Sequence, residues 1–155
     1  MTDETSARFV ETQQFPGWGY AVLAGAGLLP FLLASIAGGR IGPGLGIGLA
    51  PALALTANLL FMKTEVDAAA LTVTFGYLFP LYRRRVPLAE ILRAEPVTYA
   101  PLGEYGGWGI RGFGDDMALN ARGDRGVRLQ LTRNRLLLIG SQRPDELAAV
   151  LSLPR

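Results

Sequence analysis

The chain has 155 residues, half of them hydrophobic, and a formal net charge of +2. It contains neither cysteine nor histidine, which excludes disulfides, thiolate nucleophiles, Cys/His zinc sites and serine–histidine triads. The nearly balanced charge does not indicate a nucleic-acid partner. We therefore predict no metal site, no cofactor and no enzymatic activity.

Two long apolar segments occupy the first part of the chain. Residues 18–38 and 41–62 contain no charged side chain, and about 20 apolar residues in a helix suffice to cross a bilayer. The sequence therefore predicts a transmembrane helical hairpin, with Trp18 at the interface as an aromatic anchor. The alternative is a buried helical hairpin in a soluble protein. The predicted domains are a tail at 1–17, the hairpin at 18–62 and a separate domain at 63–155.

The distribution of basic residues predicts the orientation of this hairpin. A single arginine, Arg40, lies in the turn between the spans, whereas most of the basic residues follow Lys63. Because positive charge stays on the cytoplasmic side, both termini are expected in the cytoplasm. This predicts a multi-pass protein of the inner (plasma) membrane, with the lipid bilayer as a partner.

Four glycines recur at every second position of the second span, at Gly42, Gly44, Gly46 and Gly48. Small residues spaced four apart allow two helices to approach closely. The glycines fit packing against the first span within one hairpin. They also fit a seam between copies, which would make the protein a homo-oligomer.

Short strands are predicted from Lys63 onward. Residues 71–75 and 127–132 alternate between apolar and polar side chains, and Arg133-Asn134 can form a two-residue turn into a partner strand at 135–140. Further candidate strands are 81–86 and 90–99. Several short strands separated by turns indicate an antiparallel sheet, a sandwich or a small barrel.

The chain closes with a predicted amphipathic helix. Pro144 suits a first helical turn, and the acidic residues after it complement the positive end of the helix dipole. Leu147, Val150 and Leu151 share one face at helical spacing. We expect this helix to cover an open end of the sheet.

Four stretches of the second half resemble a known family. The runs RRRVPLAEI, YGGWGIRG, RGVRLQL and LLLIGSQRPDELAAVL look like the bacterial pleckstrin-homology-like domains, especially those carried by small membrane proteins after a transmembrane hairpin. The resemblance implies a curved, barrel-like antiparallel sheet of about seven strands with a C-terminal capping helix. It implies no activity. One departure is Asp67-Ala68-Ala69-Ala70, which stands where a turn with glycine is expected.

The stretch YGGWGIRGFGDD contains a literal G-x-G-x-x-G at Gly107, Gly109 and Gly112. A dinucleotide site needs a strand before this motif and a helix after it, and the flanking residues predict neither. We interpret the stretch as a twisted strand with Trp108 in the core. Arg111 could bind a phosphate or a carboxylate. It could equally pair with a nearby acid (Glu104, Asp115 or Asp116).

Three consecutive arginines form the second candidate contact. In a strand, Arg83 and Arg85 share one face and Arg84 takes the other. Near an anionic lipid surface each charge is worth about 1 kcal/mol. The alternative is a topology signal on a solvated edge strand that is protected from aggregation.

These observations predict an integral membrane protein that presents a binding or scaffold domain. Its ligand would be an anionic lipid or a protein partner, contacted through Arg83, Arg84, Arg85 and Arg111. The alternative is an oligomeric structural protein assembled through the glycine-rich span. An enzyme or a transporter accessory subunit is less favoured.

Overall fold

The computed structural model describes residues 8–22, 25, 51, 53–54 and 56–152. Within this part of the chain the fold is mainly β, with nine strands in two sheets. The strands are β1 (Phe9–Gln14), β2 (Phe61–Val66), β3 (Ala70–Phe75), β4 (Tyr82–Pro87), β5 (Ile91–Thr98), β6 (Gly109–Phe113), β7 (Asp116–Asn120), β8 (Arg125–Leu131) and β9 (Arg135–Gly140). The helices are α1 (Pro101–Tyr105) and α2 (Pro144–Leu151). Residues 17–22, 25, 51, 53–54 and 56–58 are also helical.

The first sheet is antiparallel and has the strand order β1-β2-β3-β4. In β1, the side chains of Phe9, Glu11 and Gln13 are buried and alternate with exposed ones. Phe9 lies opposite Val66 of β2. Strand β1 was not predicted from the sequence, because two of its three inward side chains are polar and the expected apolar alternation is missing.

The second sheet has the order β5-β8-β9-β7-β6 and is mixed. β7 runs parallel to β9, with Leu119 level with Ile139, whereas the other neighbours are antiparallel. The predicted purely antiparallel sheet is therefore wrong at this pair. A short turn at residues 121–124 reverses the chain between β7 and β8, and the chain reverses again between β8 and β9. β9 lies between β8 and β7 in the sheet and therefore runs parallel to β7.

One large core is shared by both sheets and α2. Met62 and Leu71 contribute from the first sheet, Leu129 and Ile139 from the second, and Leu147 from α2. Removing apolar surface from water contributes roughly 25 cal/mol per Å². Because the cluster draws side chains from both sheets and from α2, their burial holds the two sheets together.

A second, smaller apolar cluster lies on the other face of the second sheet. It consists of Tyr99, Ala118 and Leu138, with Tyr105 of α1 packed against it. Ala118 and the core residue Leu119 are neighbours in β7, so their side chains point to opposite faces. The short helix α1 therefore covers the face that does not belong to the shared core.

The predicted C-terminal helix is confirmed as α2. It begins at Pro144, which lacks the N–H that would have no partner in a first turn. Asp145 follows in that turn and complements the helix dipole. Leu147 and Leu151 are buried where the helix packs on β5 and β8.

The predicted β8–β9 hairpin also forms, but its loop has three residues, Thr132–Asn134, between the paired Leu131 and Arg135. Arg133 and Asn134 both have positive φ, at 61° and 57°. Asparagine tolerates this conformation, whereas arginine has no local compensation for it. The tip of the hairpin is therefore strained at Arg133.

The β2–β3 turn is closed by an aspartate instead of the expected glycine. One carboxylate oxygen of Asp67 accepts hydrogen bonds from the backbone N–H groups of Ala69 at 2.6 Å and Ala70 at 2.7 Å. The N–H of Asp67 donates to the Ala70 carbonyl at 3.0 Å. This side-chain turn closes the hairpin without a positive φ.

The predicted transmembrane hairpin is wrong. Across residues 8–22, 25, 51, 53–54 and 56–152, no helix has the length and apolar character needed to span a bilayer. Phe61 and Met62, the end of the second predicted span, begin strand β2, and Met62 is fully buried in the protein core. Apolar side chains leave water favourably in a protein core as well as in lipid, so an apolar run alone does not distinguish the two.

Most of both predicted spans, including residues 26–50, lies outside the described residues. The multi-pass inner-membrane location with cytoplasmic termini was derived from the hairpin and is corrected with it. Trp18, predicted as an interfacial anchor, packs edge-to-face against Trp108, with ring centroids 5.6 Å apart.

The implied barrel is also wrong. Instead of about seven strands in one curved sheet, the described strands form separate sheets of four and five that do not close. A 3-10 turn at Leu88–Glu90 separates β4 from β5, and each of these is an edge strand of its own sheet. Strand pattern is a local property, whereas closure depends on which distant strands pair.

Candidate functional site

The three consecutive arginines lie on β4, an edge strand of the first sheet. Arg83 and Arg85 are exposed on one face, and Arg84 is half-buried on the other, as predicted. Arg83 lies opposite Thr74 and Arg85 opposite Thr72. The edge position leaves the outer side of β4 without a neighbouring strand in the described sheet.

Few acids neutralise these arginines. Among the described residues, neither Arg83 nor Arg84 takes part in an ion pair. Arg85 reaches Asp67 only at 3.9 Å, with both side chains substantially exposed. Such a contact contributes little in water. The exposed face of β4, which carries Arg83 and Arg85, therefore retains positive charge.

Asp67 interacts more strongly with the backbone of the β2–β3 turn than with Arg85. Its pKa is lowered chiefly by the hydrogen bonds from the N–H groups of Ala69 and Ala70, and to a smaller extent by the charge of Arg85. The carboxylate is therefore stabilised in its charged form mainly by the turn. Arg85 can turn towards another anion without leaving Asp67 unpaired.

The loop between β3 and β4 has large apolar side chains that point into water. We call residues 76–81 the apolar loop. The exposed fractions of its large side chains are 70% for Tyr77, 72% for Leu78, 64% for Phe79 and 47% for Leu81. A contiguous exposed apolar surface on a folded protein commonly marks an interaction site.

Asn58, just before β2, holds the apolar loop in one conformation. Its side-chain amide donates to the carbonyl of Phe79 at 2.7 Å, and its side-chain oxygen accepts from the N–H of Leu78 at 2.6 Å. Asn58 is itself buried, with 7% exposed. Gly76 begins the loop with φ of 121°, and a Cβ there would collide with the Phe79 carbonyl. The apolar side chains are thus presented by a fixed backbone.

The apolar loop and the arginines form one continuous surface feature. Leu81 precedes Arg83 by two residues, about 7 Å along an extended strand. At the base of the loop, Tyr77 packs against Phe61, with ring centroids 5.0 Å apart. The arrangement places an apolar tip directly beside unneutralised positive charge.

Arg111 lies in the other sheet, on β6. Its Nε donates to the carbonyl of Trp108 at 2.9 Å. Among the described residues it forms no ion pair, and Glu104, one of its predicted partners, instead lies 3.5 Å from Arg128. The guanidinium thus forms a local hydrogen bond that holds the backbone at Trp108. The structure does not place it on the same sheet as Arg83–Arg85.

The glycine motif is part of a β-hairpin. Gly109 and Gly112 belong to β6, which pairs with β7, and no helix follows the motif. The expectation that Trp108 fills the core is wrong, because the indole is only half-buried. Its N–H donates to the Gly123 carbonyl at 2.9 Å, and its ring packs on Trp18. The glycines on both sides of Trp108 could have indicated this position, because they have no side chains that would cover the indole.

The other predicted helix-packing positions, Gly42, Gly44, Gly46 and Gly48, lie outside the described residues. Their role within a hairpin or in an oligomer stays a prediction.

Sequence reasoning missed a buried carboxylate. Glu11 on β1 is 7% exposed, and its oxygens accept hydrogen bonds from the Ser141 hydroxyl at 2.6 Å and the Gln142 N–H at 2.8 Å. Ser141 is fully buried, so it cannot serve a soluble substrate as a nucleophile. The pair joins β1 to the segment between β9 and α2, which is a structural role.

An open groove of about 410 Å³ lies between β5 and the end of α2. Its charged lining residues, Arg93 and Glu95, pair with each other at 2.5 Å. Their charges are thus already satisfied. The groove therefore offers a weaker basis for ligand recognition than the β3–β4 hairpin.

No protein-family model matches this sequence, and no curated protein shows significant similarity to it. The resemblance to pleckstrin-homology-like domains stays a prediction. The β3–β4 hairpin is the part of the described structure from which we infer a function.

Proposed function

We propose that this protein is a binding module for anionic phospholipid surfaces and that β4 is its contact strand. The supporting observation is the positive charge on the exposed face of β4. Arg83 and Arg85 are exposed there, and Arg83 has no ion-pair partner among the described residues. Each cation near an anionic lipid surface contributes about 1 kcal/mol. The proposed role is binding, not catalysis.

The neighbouring apolar loop favours a lipid surface over a nucleic acid. Protein–nucleic acid interfaces are strongly basic and polar, whereas here Leu78 and Phe79 are exposed within a few residues of the arginines. The net charge of the chain is only +2. In a lipid surface, anionic headgroups can bind the arginines, and the hydrocarbon below them can take up the apolar side chains of the loop.

Co-sedimentation of the full chain with vesicles tests the proposal. We expect binding to vesicles of phosphatidylcholine with about one third phosphatidylserine, and much weaker binding to phosphatidylcholine alone. The double variant Arg83→Gln/Arg85→Gln removes two charges worth about 1 kcal/mol each. Its affinity for the anionic vesicles should fall roughly 30-fold.

The matched control is Arg122→Gln/Arg133→Gln, which removes the same charge from exposed turns that connect strands of the second sheet. It should lose far less affinity. Equal losses in the two double variants, or no preference for phosphatidylserine, would reject the proposal. If the β4 variant instead aggregates while binding is unchanged, the arginines serve to protect an edge strand.

A further inference from the structure

The shape of the apolar loop narrows the choice of occupant. A specific protein interface usually involves about 20–30 residues on each side, whereas the apolar loop has only the six residues 76–81. Its side chains Leu78 and Phe79 are largely exposed to solvent. A short, exposed apolar loop fits a deformable apolar medium better than a rigid complementary surface.

The charge pattern points to the same occupant. The loop carries an exposed tyrosine, Tyr77, at its base, and Arg83 follows its last residue after one position. Aromatic side chains favour the boundary between headgroups and hydrocarbon, and basic side chains favour anionic headgroups. The hairpin thus combines an apolar loop, an aromatic residue at the base of the loop and basic residues beyond it, as the layers of a bilayer surface require.

The loop is also prepared for insertion before any contact. Asn58 satisfies the backbone N–H of Leu78 and the carbonyl of Phe79. A backbone polar group without a partner in an apolar medium costs several kcal/mol. With these two groups already bonded inside the protein, entry of the loop into lipid leaves fewer of them without a partner.

We infer that the apolar loop inserts at the boundary between the headgroups and hydrocarbon of an anionic bilayer, and that Asn58 is the positioning residue that holds it in the inserting shape. This inference rests on the proposed function and extends it. The arginines of β4 supply attraction from solution, and Leu78 and Phe79 supply the part of the binding that salt does not screen.

A single labelled cysteine in the full chain tests insertion directly. Because the chain has no native cysteine, Leu78→Cys can carry an environment-sensitive nitrobenzoxadiazole label without further changes. The matched control is Leu102→Cys on α1, since Leu102 is 69% exposed and Leu78 72%. With anionic vesicles, the label at 78 should shift to the blue and brighten several-fold, whereas the label at 102 should not. Equal responses at both positions would overturn the inference.

Salt separates the two contributions. At about 1 M salt the screening length is roughly 3 Å, so attraction between arginines and headgroups is largely lost. Leu78→Ser/Phe79→Ser should lower the remaining vesicle affinity at least tenfold. Leu92→Ser/Leu102→Ser, which changes two similarly exposed leucines, should lower it little. No difference between these double variants would contradict insertion.

The positioning role of Asn58 has its own readout. In Asn58→Ala the label at 78 should lose most of its response to vesicles, while attachment at low salt through the arginines persists. Asn58→Asp keeps an acceptor for the Leu78 N–H and should recover part of the response. General unfolding would abolish attachment and response together, and an unchanged response in Asn58→Ala would remove Asn58 from the inference.

The two proposals can fail separately. If vesicle binding depends on Arg83 and Arg85 but the label at 78 does not respond, the inference is wrong and the proposed function stands. If the label responds equally to vesicles with and without phosphatidylserine, insertion stands and the anionic specificity is wrong. If no vesicles bind, both fail.

Discussion

The hydroxyl of Ser141 donates a hydrogen bond of 2.6 Å to the buried carboxylate of Glu11, 130 residues earlier in the chain. The N–H of Arg143 in turn donates to the Ser141 hydroxyl oxygen at 3.0 Å. The guanidinium of Arg143 lies 4.7 Å from the centre of the Phe9 ring. These contacts join β1, the first strand of one sheet, to the start of α2, which packs on the other sheet.

Replacing Glu11 should therefore destabilise the whole fold. Glu11→Ala leaves a buried hydroxyl and the Gln142 N–H without their acceptor, and we expect a loss of about 2–4 kcal/mol in the free energy of unfolding. Urea denaturation measures it. Thr12→Ala, on the exposed face of the same strand, should change the free energy by less than about 0.5 kcal/mol. Similar losses for both variants would mean that the contact does not hold β1.

Asp67 should make the stability depend on acid pH. Hydrogen bonds from the N–H groups of Ala69 and Ala70 lower its pKa in the folded state below the ordinary value. Its contribution is therefore fully present above the unfolded pKa, about 3.9, and is lost as the pH falls through the lower folded pKa. Asp67→Asn keeps an acceptor oxygen but not the titration. The stability difference between wild type and Asp67→Asn should be constant above about pH 5 and shrink below about pH 4.

A second substitution provides the control for this prediction. Ala68→Ser changes an exposed residue of the same turn that carries no titratable group. Its difference from wild type should not vary with pH across the same range. A difference between wild type and Asp67→Asn that does not change between pH 3 and 6 would contradict the prediction.

Tyr99 should make the stability of the fold depend on alkaline pH. Burial is the main cause that raises its pKa above the ordinary value, and the hydrogen bond from the Asn120 side chain, at 3.0 Å, opposes this. The unfolded chain therefore loses its phenolic proton first, and stability declines as the pH rises from about 10 towards the higher folded pKa. Tyr99→Phe should weaken this decline and cost about 1 kcal/mol at neutral pH, because the side-chain N–H of the buried Asn120 loses its acceptor.

Chemical denaturation at pH 8 and pH 11 measures the effect of Tyr99→Phe. Part of the alkaline decline should remain, because burial also raises the pKa of Tyr105. Tyr77→Phe, a change at a 70% exposed position, serves as the control. Equal alkaline declines in wild type and Tyr99→Phe would show that the buried phenol does not contribute.

Arg133→Gly should stabilise the protein. Arg133 has φ of 61° and ψ of 32°, a left-handed conformation that costs a residue with a Cβ about 1–2 kcal/mol. Glycine removes this strain but gives the unfolded chain more freedom, so we expect a net gain of roughly 0.5–1 kcal/mol in thermal or urea unfolding. Arg122→Gly makes the same charge change at an exposed residue without positive φ. A loss of stability in both variants would refute strain at the β8–β9 turn.

Several elements of the fold could be predicted from local pattern. Val127, Leu129 and Leu131 alternate in the sequence and are buried together in β8. Pro144 and Leu147 likewise mark α2, which forms as predicted. These elements are local, because side-chain period and end residues depend on neighbours a few positions away.

Part of the candidate site could be predicted in the same way. The two faces of Arg83–Arg85 follow from the period of a strand, and the structure has them so. The exposure of Leu78 and Phe79 could not be predicted, because apolar residues are normally expected inside. Their exposure depends on Asn58, which lies 20 residues or more away in the chain and fixes the loop outside the core.

By itself the sequence determined which residues alternate, where the last helix begins and where charge and apolar character concentrate. Only the tertiary structure decided that β1 pairs with β2 while its buried polar residues Glu11 and Gln13 bond to Ser141 and Gly140. It also decided that β7 runs parallel to β9 and that Met62 is covered by protein. Each of these depends on contacts between distant parts of the chain. The free energy of removing a side chain from water depends on how much of its surface is covered, and not on which neighbour covers it.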